Sequence, residues 1–195
     1  MSSTINASAL WEFFAVALGL IYIVLAARHN PWAWVASGIS ATIYGILLWQ
    51  DVLPMQAGLH AFYVITAFIG WHHWRKTKQL KTPQVHYMTR REHLLFISAG
   101  TLFTLIIGSY LAQNALSQSP WLDTSTTVFS MLTTWLVVKQ RIENWLYWIL
   151  IDSVSALLYW QTEHQQMALL YLLYVVLAVY GFYHWRKRYL NTPTS

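Results

Sequence analysis

Trp145, Trp148, Asp152, Ser155 and Tyr159 follow i, i+3, i+7, i+10, i+14 spacing and so share one face of a helix. Two indoles a turn apart, with a carboxylate one turn further on, suit a flat aromatic ligand that carries positive charge. An indole face attracts a desolvated cation by about 0.5–2 kcal/mol and stacks on a heteroaromatic ring. The carboxylate compensates charge or accepts a hydrogen bond from an amine. Asp152 stands at the middle of an apolar segment, where an ionised acid costs about 2.5–3.5 kcal/mol on insertion scales. Such a residue marks either a functional site, a structural acceptor bonded to Ser or Thr on a neighbouring helix, or an acid kept neutral. The Trp pair also admits plain helix packing, because the chain holds 12 Trp.

His60 precedes Tyr63 by about one turn, and Tyr171 and Tyr174 repeat that spacing. These four could face a central cavity and supply polar contacts, the alternative for His60 being a bonded core residue. His72, His73 and His184 invite a metal or haem reading. Adjacent histidines point to different helix faces, and a chain with no Cys offers no thiolate, so no metal site is expected. No apolar segment contains the lysine that a retinal Schiff base needs. Phosphate-binding glycine loops, nucleophile elbows and HExxH motifs are absent. Neither a cofactor nor a catalytic set is therefore expected, and the chain does not read as an enzyme.

The elements that must position these residues follow from composition. Of 195 residues, 56% are apolar and only 10% charged, against about 25% charged in soluble domains. Lipid is the expected solvent. Apolar runs predict membrane spans at 8–27, 32–50, 53–74, 94–113, 119–138, 143–161 and 164–185. All 12 basic residues then fall on one side: Arg28; Arg75, Lys76, Lys78, Lys81, Arg90 and Arg91; Lys139 and Arg141; and Arg186 to Arg188. The other side holds Asp51 and Glu163 but no Lys or Arg, so the positive-inside rule places the N-terminus outside and the C-terminus in the cytoplasm. Basic residues in loops between spans do not form the stripe that nucleic acid requires. The first segment lacks a basic n-region and a cleavage site, which predicts a retained helix rather than a signal peptide. Trp residues such as Trp32, Trp49, Trp71, Trp74, Trp121, Trp160 and Trp185 lie near span ends, as interfacial anchors do.

Gly70-Trp71-His72-His73-Trp74-Arg75-Lys76 reappears 111 residues on as Gly181-Phe182-Tyr183-His184-Trp185-Arg186-Lys187. The same offset carries Trp34 onto Trp145, Trp49-Gln50 onto Trp160-Gln161, Leu59 onto Leu170, Tyr63 onto Tyr174, Ala67 onto Ala178 and Glu12 onto Asp123. Two three-helix units of the same orientation need one extra crossing between them. The predicted architecture is all-α and 3+1+3: a first repeat over 8–74, a loop and linker helix over 75–118, a second repeat over 119–185 and a tail over 186–195. Parallel repeats occur in one group of transporters, with the substrate site near the midplane between the repeats. Trp148 and Asp152 have Ser37 and Ala41 as first-repeat equivalents, so the second repeat alone gains an indole and an acid. Glu12 and Asp123, being equivalent, are expected to share a structural task such as compensating a helix N-terminus.

Glu143-Asn144-Trp145-Leu146-Tyr147-Trp148-Ile149-Leu150-Ile151-Asp152 resembles the ENWxxWxxxN signature of the PnuC vitamin transporters. Gly70-Trp71 with Trp74 looks like their GWxxW ending, and Ser119-Pro120-Trp121-Leu122-Asp123 resembles their (T/F)PxxD opening of the fifth core helix. The likeness runs from about residue 10 to 188. It implies a SWEET-like fold, residence in a bacterial inner membrane as a trimer, and facilitated diffusion of nicotinamide riboside, thiamine or riboflavin trapped by cytosolic phosphorylation. Carried over, Trp145 and Trp148 flank the ring, Asp152 replaces the motif's Asn, and His60 replaces a Gln on the third core helix. The Asp variant looks like the thiamine branch, PnuT. The resulting expectation is alternating-access uniport of thiamine, with nicotinamide riboside as the alternative and a membrane sensor or enzyme as rivals of another class.

Overall fold

Seven helices carry nearly all of the regular structure in the computed structural model, which describes residues 2–50, 54–78, 85–114, 119–161 and 165–191. They are α1 (Ser2–Ala27), α2 (Trp32–Gln50), α3 (Pro54–Lys78), α4 (Arg90–Gln113), α5 (Pro120–Val138), α6 (Asn144–Gln161) and α7 (Gln165–Leu190). Asp51, Lys81 and Glu163 of the expected charge pattern lie outside the described residues.

Among the described residues, four helices, α1, α2, α4 and α7, are long and apolar enough to cross a membrane. The expectation of seven apolar spans is met only in number of helices. Polar content lowers the other three: α3 ends in His72, His73, Arg75 and Lys76, α5 carries a Thr- and Ser-rich run from Thr124 to Thr134, and α6 holds Asp152, Ser153 and Ser155. Leu94, Leu95, Leu150, Leu157 and Val176 are exposed, an outer surface suited to acyl chains and not to water.

Local chemistry sets the helix ends. Thr89 caps α4: its hydroxyl accepts from Glu92 N at 3.2 Å while Glu92 Oε2 accepts from Thr89 N at 2.7 Å, a capping box worth about 1 kcal/mol. Pro120 opens α5 and Asp123 sits in its first turn, where a negative charge meets the positive end of the helix dipole. Glu12 has no such place. Because α1 begins at Ser2, Glu12 lies well inside the helix, and the shared dipole task expected of the pair is corrected for it.

The α1–α2 and α5–α6 turns have the same backbone. Arg28 N donates to Val24 O (3.2 Å), His29 N to Ala26 O (2.8 Å) and Asn30 N to Leu25 O (2.9 Å). At an offset of 111, Lys139 N donates to Trp135 O (3.0 Å), Gln140 N to Val137 O (3.0 Å) and Arg141 N to Leu136 O (3.0 Å). These are Schellman closures, which place one residue in the left-handed region. His29 (φ 54°) and Gln140 (φ 58°) occupy it, each at a cost of about 1–2 kcal/mol, and both are buried.

The chain divides into two compact units, Met1–Gln84 with Tyr183–Ser195, and Val85–Phe182. In the first, α2 packs on both α1 and α3. Trp34, Trp74 and Trp185 are fully buried there, and the His29 ring stacks on Trp74 (4.6 Å, 8°) with Trp185 edge-on at 5.4 Å. Trp185 Nε1 donates to Ala26 O at 2.9 Å, a second bond to a carbonyl that also accepts from His29 N. Burial first, then the charges of Arg188 and Lys78, push the His29 pKa down to about 3.

In the second unit α5 packs on α4 and α6. The segment before α4 closes onto the α5–α6 turn: His86 N donates to Gln140 O (3.1 Å) and Ile142 N to His86 O (3.0 Å). Both Glu143 carboxylate oxygens accept from Met88 N at 2.9 Å. Arg141 pairs with Glu92 at 2.5 Å, and His93 Nδ1 meets the Tyr147 hydroxyl at 2.8 Å.

Candidate functional site

Each unit contributes a set of predicted residues. In the first, helix packing of α2 on α3 brings Tyr44 to 5.3 Å from His60, whose ring stands edge-on to Tyr63 at 5.7 Å. His60 Nδ1 is buried without a hydrogen-bond partner among the described residues. A buried polar atom left open costs about 1–3 kcal/mol, so the His60 position is not explained by folding alone. Tyr44 was not singled out from the sequence; its place as the ring beside His60 is new. The signal available was its place on the same α2 face as Trp34, Ser37 and Ala41.

In the second unit, α6 buries Asn144, Trp145, Ile151, Asp152, Ser155 and Ala156, while Trp148 and Tyr159 are half-buried. The face predicted from spacing is thus the inward face of the helix. Asp152 is only 5% exposed, and no hydrogen bond or ion pair engages its carboxylate among the described residues. No Ser or Thr among the described residues donates to it. Further along α6, Tyr159 stacks on Tyr171 of α7 (5.3 Å, 15°), and Tyr171 meets Tyr174 edge-on at 5.7 Å. The second unit therefore assembles a phenol-bearing aromatic wall from Tyr159, Tyr171 and Tyr174 near the far half of α6.

Trp145 is placed differently. Its indole covers Gly181 so closely that a Cβ there would lie 2.6 Å from the ring. Trp34 covers Gly70 in the same way, and these are equivalent residues at the offset of 111. One face of Trp145 is therefore committed to holding α6 on α7. Seven residues separate it from Asp152, about 10 Å along the helix axis, with Trp148 lying between them.

Chemically, the first unit offers an imidazole beside phenols, and the second offers aromatic faces, phenols and a carboxylate with no partner among the described residues. Among the described residues, neither set supplies a nucleophile paired with a base. Buried ionisable groups inside membrane helices mark solute pathways as a rule, which points to the class of membrane transporters. Residues 9–187 match the nicotinamide mononucleotide transporter family, and the chain belongs to that family.

The chain is 25% identical over 176 residues to the riboflavin/roseoflavin transporter RibM of Streptomyces davaonensis, covering 88% of this chain and 82% of that one. It is 25% identical over 186 residues to the nicotinamide riboside transporter PnuC of Neisseria mucosa, covering 89% and 70%. The PnuC of Escherichia coli K12 is 23% identical over 193 residues, covering 86% and 81%. In fold, the chain is similar to the crystal structure of the vitamin B3 transporter PnuC, with a TM-score of 0.76 at 22% identity over 97% of this chain and 86% of that one. These relatives are named for nicotinamide riboside or riboflavin, so the thiamine expectation drawn from Asp152 gains no support from them.

Proposed function

We propose that this protein facilitates passage across the bilayer of a flat heteroaromatic vitamin that carries positive charge, nicotinamide riboside first. The relatives named for nicotinamide riboside support that choice over thiamine. The single observation that carries the reading is Asp152, buried at the middle of α6 and unpaired among the described residues. A fixed carboxylate in a site of low dielectric attracts a ring cation more strongly than it would in water. Trp148, present in the second repeat only, supplies the stacking face. Trp145, seated on Gly181 as Trp34 is on Gly70, positions α6 and bounds the ring. Tyr171 and Tyr174 of the same unit supply polar contacts, and His60 and Tyr63, their equivalents at the offset of 111, are assigned the same task in the first unit.

The 3+1+3 parallel repeat is part of this proposal. Its support is the pair of turns with matching hydrogen bonds at one offset, the equal left-handed residues and the equal Trp-on-Gly seats. The assigned orientation, N-terminus outside and C-terminus cytoplasmic in a bacterial inner membrane, rests on the sidedness of basic residues. The trimer, uniport and trapping by phosphorylation rest on the sequence resemblance.

Thiamine is kept as the second reading for one reason: Asp152 stands where the motif has Asn, and a carboxylate can accept from an aminopyrimidine as well as face a thiazolium. Quenching of intrinsic Trp fluorescence tests the choice, with nicotinamide riboside, thiamine and riboflavin titrated side by side. The proposal expects nicotinamide riboside to saturate at the lowest concentration. Tighter thiamine binding would transfer the assignment to the second reading, and no saturable quench by any of the three would overturn both.

A further inference from the structure

The first unit carries a groove that the substrate reading leaves unused. It opens between α2 and α3 with a volume of about 530 Å³, and its lining includes Val35, Gly38, Ala67, Phe68, Trp71 and His72. The floor is made by small residues: a Cβ on Gly38 would stand 3.4 Å from that of Ala67, so alanine fits there but any longer side chain must project into the groove. At the offset of 111 the second repeat has Ile149 in place of Gly38. The groove is therefore a property of this α2–α3 pair and not a requirement of the fold.

Chemistry changes along the groove. Its length is apolar, with Val35, Ile39, Val64 and Phe68, and α2 is one of the helices apolar enough to cross a membrane. At one end Trp71 meets Trp32 edge-on at 5.1 Å, and the Arg75 guanidinium sits over the Trp71 ring at 5.3 Å. Tryptophans of this kind mark the level of the headgroups. His72 Nδ1 lies 3.0 Å from Phe68 O; a carbonyl only accepts, so Nδ1 carries the proton and Nε2 is left for another partner. Lys76 follows directly. An apolar channel at acyl-chain depth thus ends at a held guanidinium with further basic residues beside it.

We propose that this groove binds an anionic phospholipid, one acyl chain lying over Gly38 and Ala67 and the phosphate at Arg75. Charge selects the occupant. A second copy of the chain or a zwitterionic lipid would fill the apolar length equally well, but the first brings no phosphate and the second offsets its phosphate with its own ammonium, whereas an anionic headgroup brings net negative charge to the end where Arg75 stands, and juxtamembrane basic residues draw such headgroups. The planar guanidinium, already stacked on an indole, can present two N–H groups to phosphate oxygens.

The test uses the purified full chain in detergent micelles, titrated with phosphatidylglycerol or phosphatidylcholine. Native mass spectrometry counts bound lipid and reads oligomeric state, and thermal unfolding reports the coupled stability. Phosphatidylglycerol is expected to bind at least fivefold more tightly and to raise Tm, whereas glycerol phosphate, which lacks acyl chains, leaves Tm unchanged. Gly38→Ile, which copies the second repeat, should weaken both lipids at least tenfold. Arg75→Gln should retain phosphatidylcholine binding and reduce the preference for phosphatidylglycerol to less than twofold. Thr42→Leu obstructs the groove from another lining position and serves if Gly38→Ile does not fold. Equal binding of the two lipids by the unaltered chain, or full retention of phosphatidylglycerol by both groove-filling variants, would overturn the proposal. So would a change of oligomeric mass in those variants without loss of lipid, which would assign the groove to a second copy.

Discussion

Replacing Asp152 by Asn keeps the shape of the side chain and removes its charge. Two consequences of opposite sign follow from where the residue sits. With 5% exposure and no partner among the described residues, the acid carries an insertion cost of about 2.5–3.5 kcal/mol, whereas a buried neutral amide costs about 1–3 kcal/mol. The variant should be more stable by about 1 kcal/mol, which for a chain of this length raises Tm by about 2–4 °C. Binding should move the other way. A charge-assisted hydrogen bond is worth about 1.5–3 kcal/mol, and each 1.4 kcal/mol is about tenfold in affinity. Nicotinamide riboside and thiamine should therefore bind roughly ten- to a hundredfold more weakly, while uncharged riboflavin changes by less than about threefold. Isothermal titration calorimetry on detergent-purified protein, with a thermal unfolding curve on the same sample, reads both. Unchanged affinity for the two cations would refute the charge pairing. Loss of all three ligands together with a lower Tm would show that Asp152 serves the fold.

Trp148→Ala should abolish most of the ligand-induced fluorescence quench with little change in Tm, whereas Trp145→Ala should lower Tm first, because it empties the seat over Gly181; the reverse pattern in quench and unfolding would exchange the two roles. Gly181→Ala forces a Cβ to within 2.6 Å of the Trp145 ring, and overpacking of this kind costs about 1–3 kcal/mol, measurable as a lower Tm that Trp145→Leu in the same chain restores. His29, with its pKa pushed down to about 3, stays neutral in the folded protein while the unfolded chain protonates near the ordinary histidine value of about 6.5. Its contribution is thus complete above that value and is lost as pH falls below it, at about 1.4 kcal/mol per pH unit. His29→Gln, which copies Gln140, should flatten the fall of Tm between neutral pH and pH 5; parallel pH profiles for the two proteins would contradict this.

Helix positions were legible because apolar runs report burial in lipid directly, and Pro120 marked the start of α5. The turn at Gln140 was half legible. Its equivalence to His29 is present in the offset of 111, yet neither residue type announces a left-handed backbone. What covers His29 could not be read at all, since Trp185, which ties its indole to Ala26, lies 159 residues away. Glu143 was visible only as the first letter of a motif, and the reason for it, Met88 N 55 residues earlier, exists only once the segment before α4 folds back. Spacing put Trp145 and Trp148 on one face, and α6 does bury that face. It could not separate a ring seated on a glycine from a ring left half-open, because that depends on which residue of α7 lies opposite.

Passage of a cationic ring compound down its gradient by way of Asp152 is the function proposed for the chain. Uptake of labelled nicotinamide riboside into proteoliposomes holding a trapping kinase tests it most directly, with no ion gradient imposed and with Asp152→Asn measured in parallel. Uptake should be saturable, competed by unlabelled nicotinamide riboside, indifferent to an added proton gradient and at least tenfold lower in the variant. Uptake no greater than in protein-free liposomes, or equal in the variant and the unaltered chain, would contradict it.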